Sequence, residues 1–167
     1  SDRTLTRMRR GYTAGRYLER LAAARAAIPD LAVTTDLIVG FPGETDDDFE
    51  RTLEVVDAAE YDAAYTFVFS PRPGTAAAEM RDVAVPDEVV QARMLRLVDV
   101  LDRHGLARHE ARIGRREEVL VEGPSKKDAA VLSARTRQNK LVHFAGELPA
   151  GTFAEVQITG AAPHWLR

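Results

Sequence analysis

The run Thr34–Glu44, TTDLIVGFPGE, constrains this chain more than any other stretch. Three consecutive apolar residues, Leu37, Ile38 and Val39, end at Gly40, and a charged helical pattern starts directly after Glu44. An uninterrupted apolar run predicts a parallel strand with both faces covered. Gly40 and Gly43 allow a sharp turn or a close backbone approach, and Pro42 fixes one torsion between them. A strand ending in such a loop delivers it to the carboxyl edge of a sheet, where α/β proteins bind ligands. A plain strand-to-helix turn would use the same residues, so the flanking chain has to decide.

The flanks alternate helix and strand. Thr13 predicts the cap of a helix running to about Ile28 and stopped by Pro29-Asp30. Tyr17, Leu18, Leu21, Ala24 and Ile28 fall on one face of it. The strand at about 32–40 follows. Thr45 caps a second predicted helix to about Glu60, with a stripe of Phe49, Leu53 and Val56. Asp46, Asp47, Asp48 and Glu50 crowd its first turns, where negative charge suits the helix dipole better than it suits a metal. Ala63–Phe69 reads as the next strand and ends in Ser70-Pro71-Arg72-Pro73-Gly74-Thr75.

Helix–strand–helix–strand with short links means parallel strands and crossover helices, in an open α/β sheet or a (β/α) barrel. Either architecture places both Gly/Pro-rich loops on its functional face. Arg72, between two prolines, is held near that face, a surface salt bridge being the plain alternative. The basic segment Arg7–Tyr12 reads as a loop. Pro86-Asp87-Glu88 opens a long helix to about Arg112, striped by Val89, Val90, Met94, Leu97, Leu101 and Leu106, with Gly105 predicting a kink or a division.

From Ile113 the period switches to two. Residues 118–122, 130–135, 140–144 and 153–158 read as four short strands of a small antiparallel β-barrel. The charge changes with the pattern. Residues 1–112 hold 15 Lys/Arg and 20 Asp/Glu, and residues 113–167 hold 8 and 6. Domains at 1–112 and 113–167 follow, the second suited to a polyanion. Lys126, Lys127, Arg135, Arg137 and Lys140 fall in one window around Asn139, opposed only by Asp128. His143 and Phe144 can stack on bases, so a groove for single-stranded nucleic acid is the expectation. Solvated hairpins are the plain alternative.

Other chemistry is excluded or unsupported. The chain has no cysteine, hence no disulfide, no thiolate zinc site and no cysteine-ligated cluster of its own. His104 and His109, five apart, miss the spacing of one helix face and are expected at the surface; no metal site is expected. No apolar run approaches the length of a membrane span, and the charged N-terminal stretch has no signal-peptide core, so a cytoplasmic protein is expected. The chain lacks an initiator Met and starts in mid-pattern, as a fragment would.

Several motifs carry a family resemblance. Met8–Thr13, Thr34–Thr45 and Ser70–Thr75 resemble the C-terminal half of radical S-adenosylmethionine methylthiotransferases, closest to the MiaB type. Gly123–Asp128 with Arg135–Val142 resembles the RNA-binding TRAM domain that ends those enzymes. The resemblance implies an α/β fold: the C-terminal part of a partial (β/α) barrel, followed by a small antiparallel, OB-like β-barrel.

It also implies a reaction. The C2 hydrogen of an N6-isopentenyl adenosine beside the tRNA anticodon is replaced by a methylthio group. S-adenosylmethionine and two 4Fe–4S clusters serve as cofactors, and the anticodon stem-loop of tRNA is the partner. The resemblance places Thr35, Asp36, Ile38 and Gly40 against the adenine. It places Phe69, Ser70 and Arg72 near the adenosyl group or substrate. Lys126, Lys127, Arg135, Arg137, Asn139 and Lys140 would contact tRNA.

The family's three-cysteine motif and first barrel strands are absent, so no catalysis by this chain alone is expected. Its strands at 32–40 and 63–69 would keep unpaired edges, giving self-association or partial unfolding before Ile113. A single monomer peak with cooperative melting of the whole chain would count against that. Two other readings remain open. One is a stand-alone RNA-binding module. The other is a sister methylthiotransferase acting on threonylcarbamoyl-adenosine in tRNA or on a ribosomal protein.

Overall fold

The structure is a computed structural model; it describes the backbone of residues 1–167 and every side chain except that of Arg81. The chain divides into two compact units, Ser1–Leu101 and Asp102–Arg167.

In the first unit α1 (Asp2–Arg7) and α2 (Ala14–Ala27) precede strand β1 (Thr34–Val39). Helix α3 (Asp46–Ala59) then leads to strand β2 (Ala63–Val68), and α4 (Asp87–Glu110) carries the chain into the second unit. Strands β1 and β2 are parallel, with Asp36 opposite Tyr65 and Ile38 opposite Phe67. This is the predicted β-α-β crossover.

Its core lies on one face of the pair, where Leu21, Val39, Phe49, Leu53, Val56, Val90 and Leu97 are buried together. The other face is open: Ile38 is 38% exposed, Phe67 49% and Tyr65 73%. The expectation that both faces of the apolar run are covered is therefore corrected. Within this chain the strand alternates, and only its odd-numbered side chains from Leu37 to Val39 turn toward the helices. Ile28, expected on the packed face of α2, is exposed because the helix ends before it and the backbone there is extended.

Thr45 caps α3 as predicted, in a reciprocal box: Asp48 N donates to Thr45 Oγ1 (3.2 Å) and Thr45 N donates to Asp48 Oδ2 (2.9 Å). The same carboxylate accepts from Ser1 Oγ at 2.6 Å and from the Arg3 guanidinium, fastening α1 to the start of α3. Burial pushes the Asp48 pKa up. The hydrogen bonds from Ser1, Thr45 and Arg3 outweigh it and hold the carboxyl well below the usual carboxylate range.

Helix α1 falls partly on a segment read as loop. It is short and lacks an apolar stripe, and its supports are distant in sequence: Arg3 donates to Gly43 O (3.2 Å) and Arg7 to Pro42 O (3.0 Å).

In the second unit β3 (Arg116–Pro124), β4 (Val131–Thr136), β5 (Leu141–Ala145) and β6 (Phe153–Gln157) form the expected antiparallel strands. Two short strands, β7 (Ala161–Ala162) and β8 (Trp165–Leu166), were not foreseen. The hydrogen-bonded order is β6-β3-β4-β5-β8-β7, and β5–β8 is parallel. Val119, Ala134, Val142, Ile158 and Leu166 make its core.

His109 is a correction. It is 4% exposed rather than at the surface, with Nδ1 2.6 Å from the Ala162 carbonyl. Gly105 does not divide α4, which is one helix across it. Among the described residues, no helix is long and apolar enough to cross a membrane.

Candidate functional site

The turn after β1 is set by packing. Gly40 (φ +79°) is buried, and a Cβ there would sit 2.7 Å from a Val90 methyl. Glu44 then folds back, accepting from Gly40 N (3.3 Å) and from Arg93 of α4 (2.7 Å). Arg93 also reaches Asp46 (2.6 Å) and lies over the Phe49 ring (5.6 Å). Glu44 and Arg93 are both buried. Burial pushes the Glu44 pKa up, against the pull of the Gly40 amide and Arg93. The turn is thus latched to α4 by a buried ion pair. At its far end Phe69 N donates to Val39 O (2.8 Å), and the Phe69 ring meets Phe41 edge-on at 5.3 Å.

This scaffold brings five predicted residues to one depression: Asp36, Ile38, Phe69, Ser70 and Arg72, joined by Met8 and Arg10. Asp36 and Ile38 stand on the open face of β1, while Ser70 and Arg72 stand in the exposed loop after β2. The lining is apolar, with one carboxylate and two guanidinium groups.

Thr35 lies elsewhere. It is half-buried on the helix side, and with Tyr61 it lines an adjoining hollow that shares Asp36, Ile38, Met8 and Arg10. Tyr61 donates to Tyr17 Oη (2.9 Å), and burial first, then this bond, raises its phenol pKa. Gly40 shapes the turn beneath Val90. Sequence reasoning missed Met8 and Arg10 as lining residues, although both stand in the Met8–Thr13 motif that carries the family resemblance.

A second concavity opens on the β-unit. Lys126, Lys127 and Arg135 line it with His143, Phe144 and Trp165. Lys126 and Lys127 are exposed and have no ion-pair partner among the described residues. Arg135 pairs with Glu122 (3.4 Å) and donates to Asn139 O (3.2 Å). Arg137, exposed, pairs with Glu118 (3.4 Å). Asn139 occupies the hairpin turn at φ +60°.

Lys140 is only 5% exposed, and its backbone amide donates to Thr136 Oγ1 (3.2 Å). It is buried in the turn before β5, so it does not stand on the exposed basic face. Sequence reasoning missed Trp165, Arg167 and Ser133. A tryptophan beside an arginine in a basic unit was the available signal. Among the described residues no cluster of His, Cys, Asp or Glu could hold a metal.

Comparison with known proteins agrees with this layout. The Radical SAM superfamily model matches residues 1–56, and the TRAM domain model matches residues 110–167. A tRNA-2-methylthio-N(6)-dimethylallyladenosine synthase of Mycolicibacterium vanbaalenii is 51% identical over 99% of this chain and 34% of its own length. The protein of the same name from Kineococcus radiotolerans is also 51% identical, over 99% and 34%. That of Aromatoleum aromaticum is 45% identical over 100% and 38%. The chain spans about a third of the length of the curated relatives it matches, their C-terminal part. The resemblance carried by the motifs is borne out, and radical SAM and TRAM domains are both represented in the chain.

Proposed function

We propose that this chain is the part of a radical S-adenosylmethionine tRNA methylthiotransferase that supplies late barrel strands and the RNA-docking domain. The whole enzyme would add a methylthio group to C2 of N6-isopentenyladenosine beside the anticodon. One observation carries the reading: near-half identity to synthases of that name runs the length of the chain, through both concavities.

The depression after β1 fits a zwitterionic nucleoside. Ile38, Phe67 and Phe69 offer apolar surface to a ring, Asp36 faces a cationic group, and Arg72 or Arg10 can take a carboxylate. When bound, S-adenosylmethionine supplies the radical chemistry that activates the C2–H bond. The residues here orient it, exclude water from the ring and fix its charged ends. Iron–sulfur clusters do not fit this chain, which has no cysteine; two would be held by the remainder of the enzyme.

Residues 1–112 would complete a (β/α) barrel whose other strands cover Ile38, Tyr65 and Phe67. Residues 113–167 would dock the anticodon stem-loop through Lys126, Lys127, Arg135, Arg137 and Asn139. The segment Ile158–Gly160, which joins β6 to β7, would close the sheet into an OB-like barrel. The protein would act on tRNA in the cytoplasm.

The cofactor half of the proposal is tested in the whole protein. Asp36→Ala and Arg72→Ala should each weaken S-adenosylmethionine binding roughly tenfold or more in equilibrium dialysis. Affinity for tRNA should not move. Unchanged cofactor affinity in both variants would contradict the assignment.

A further inference from the structure

We propose that the groove on the β-unit holds one unpaired RNA base stacked on Trp165, with its neighbouring phosphates on Lys126 and Lys127. This rests on the RNA-docking reading above and adds a residue-level site to it.

The argument starts from strand pairing. Parallel pairing of Val142 with Leu166 turns His143 and Trp165 to the same face as diagonal neighbours, ring centroids 6.1 Å apart and planes at 61°. The Arg167 guanidinium lies over the indole, 5.7 Å from its centroid. Ser133 stands opposite His143 in the β4–β5 register, and its hydroxyl is 3.3 Å from Nδ1. One imidazole nitrogen is therefore held, and Nε2 is left to meet the edge of a ligand.

The acids in the groove are already engaged. Glu122 pairs with Arg135, and the Asp128 carboxylate accepts from Ala130 N at 3.0 Å. Lys126, Lys127 and Arg167 keep the groove positive.

A polyanion alone would need only the lysines. A half-buried indole under a guanidinium, with a hydrogen-bonding imidazole at its edge, matches a flat aromatic ring with polar edges. Bases inside a duplex cannot reach such a platform, so the ring has to come from a single-stranded segment. Arg167 has an exposed side chain and can lift to admit it.

Trp165 is the only tryptophan, so its emission reports stacking directly. The chain is titrated with fluorescein-labelled hexa-adenylate RNA followed by anisotropy, and with the unlabelled RNA followed by tryptophan emission. Inorganic polyphosphate serves as a base-free polyanion. The expected result is quenching that saturates with the anisotropy curve, while polyphosphate competes without quenching. Trp165→Leu should weaken RNA binding roughly tenfold to a hundredfold, and Trp165→Phe should stay within a few fold.

Far-UV dichroism checks that each variant is folded, and Trp165→Phe with the emission data decides the matter if the leucine variant is not. RNA binding with unchanged emission, or equal quenching by polyphosphate, overturns the stacking site and leaves RNA docking standing. No anisotropy change with RNA overturns both.

Discussion

Replacing Lys126, Lys127, Arg135 and Arg137 together by Gln is expected to abolish measurable binding of an anticodon stem-loop RNA to this chain. All four cations are at least partly exposed on the β-unit, and the two that are paired are held only by surface carboxylates, Glu122 and Glu118. Such surface pairs are weak, so a phosphate can displace the carboxylate. At about 1 kcal/mol per phosphate contact, losing four weakens binding by roughly a thousandfold. For single strands, four contacts give a log–log salt slope near −3, hence about a fiftyfold loss of affinity between 50 and 200 mM salt. Any residual binding by the quadruple variant should show a nearly flat salt dependence. A steep slope that survives the substitutions would place the docking surface elsewhere. Lys140→Gln, at a buried position, is a poor probe, because its effect would be on folding.

Arg93→Met is expected to destabilise the first unit by about 3–5 kcal/mol at neutral pH, because it leaves the Glu44 carboxylate buried without its cation. The sign with pH follows from Glu44. Its folded pKa is already raised above the ordinary value, chiefly by burial, and removing Arg93 raises it further. A carboxyl whose folded pKa is raised favours the fold when protonated. The stability is present below the unfolded pKa near 4.5 and is lost as pH climbs through the folded value. The Arg93→Met defect should therefore be largest near pH 7 and shrink toward pH 5. Adding Glu44→Gln should recover part of it by removing the orphan charge. Urea unfolding followed by helical dichroism at both pH values measures this. A defect independent of pH would mean that Arg93 acts through its packing on Phe49 alone.

These two predictions draw on different kinds of legibility. The basic window of the β-unit was visible in the sequence because strand alternation and charge are local properties. So were the caps at Thr13 and Thr45 and the stripe Phe49-Leu53-Val56, all of which the structure reproduces. The Glu44–Arg93 latch was not visible, since it joins residues 49 apart in sequence and a lone glutamate after a glycine turn has no pattern of its own.

The acids Asp46 and Asp48 were read as dipole partners of α3. They are that, and each is also committed to a distant arginine, Arg93 or Arg3. Helix α1 and strands β7 and β8 escaped for a related reason: elements of two to six residues are too short for periodicity and are held by contacts remote in sequence. Lys140 shows the converse error. Charge suggested exposure, and the hairpin turn decided otherwise. At the depression after β1, Asp36, Ile38, Phe69, Ser70 and Arg72 converge because two parallel strands end side by side, which the β-α-β pattern already required. Thr35 parts from Asp36 and Ile38 for the same local reason, one step of strand alternation.

The central claim is that this chain serves a tRNA methylthiotransferase acting on isopentenylated adenosine. Nucleoside analysis of tRNA from a strain lacking the gene that encodes it tests this most directly. The account predicts that the 2-methylthio nucleoside disappears, that N6-isopentenyladenosine accumulates in its place, and that the intact gene restores the modification. An unchanged 2-methylthio-isopentenyladenosine level, or a loss confined to the methylthiolated threonylcarbamoyl nucleoside, would contradict it.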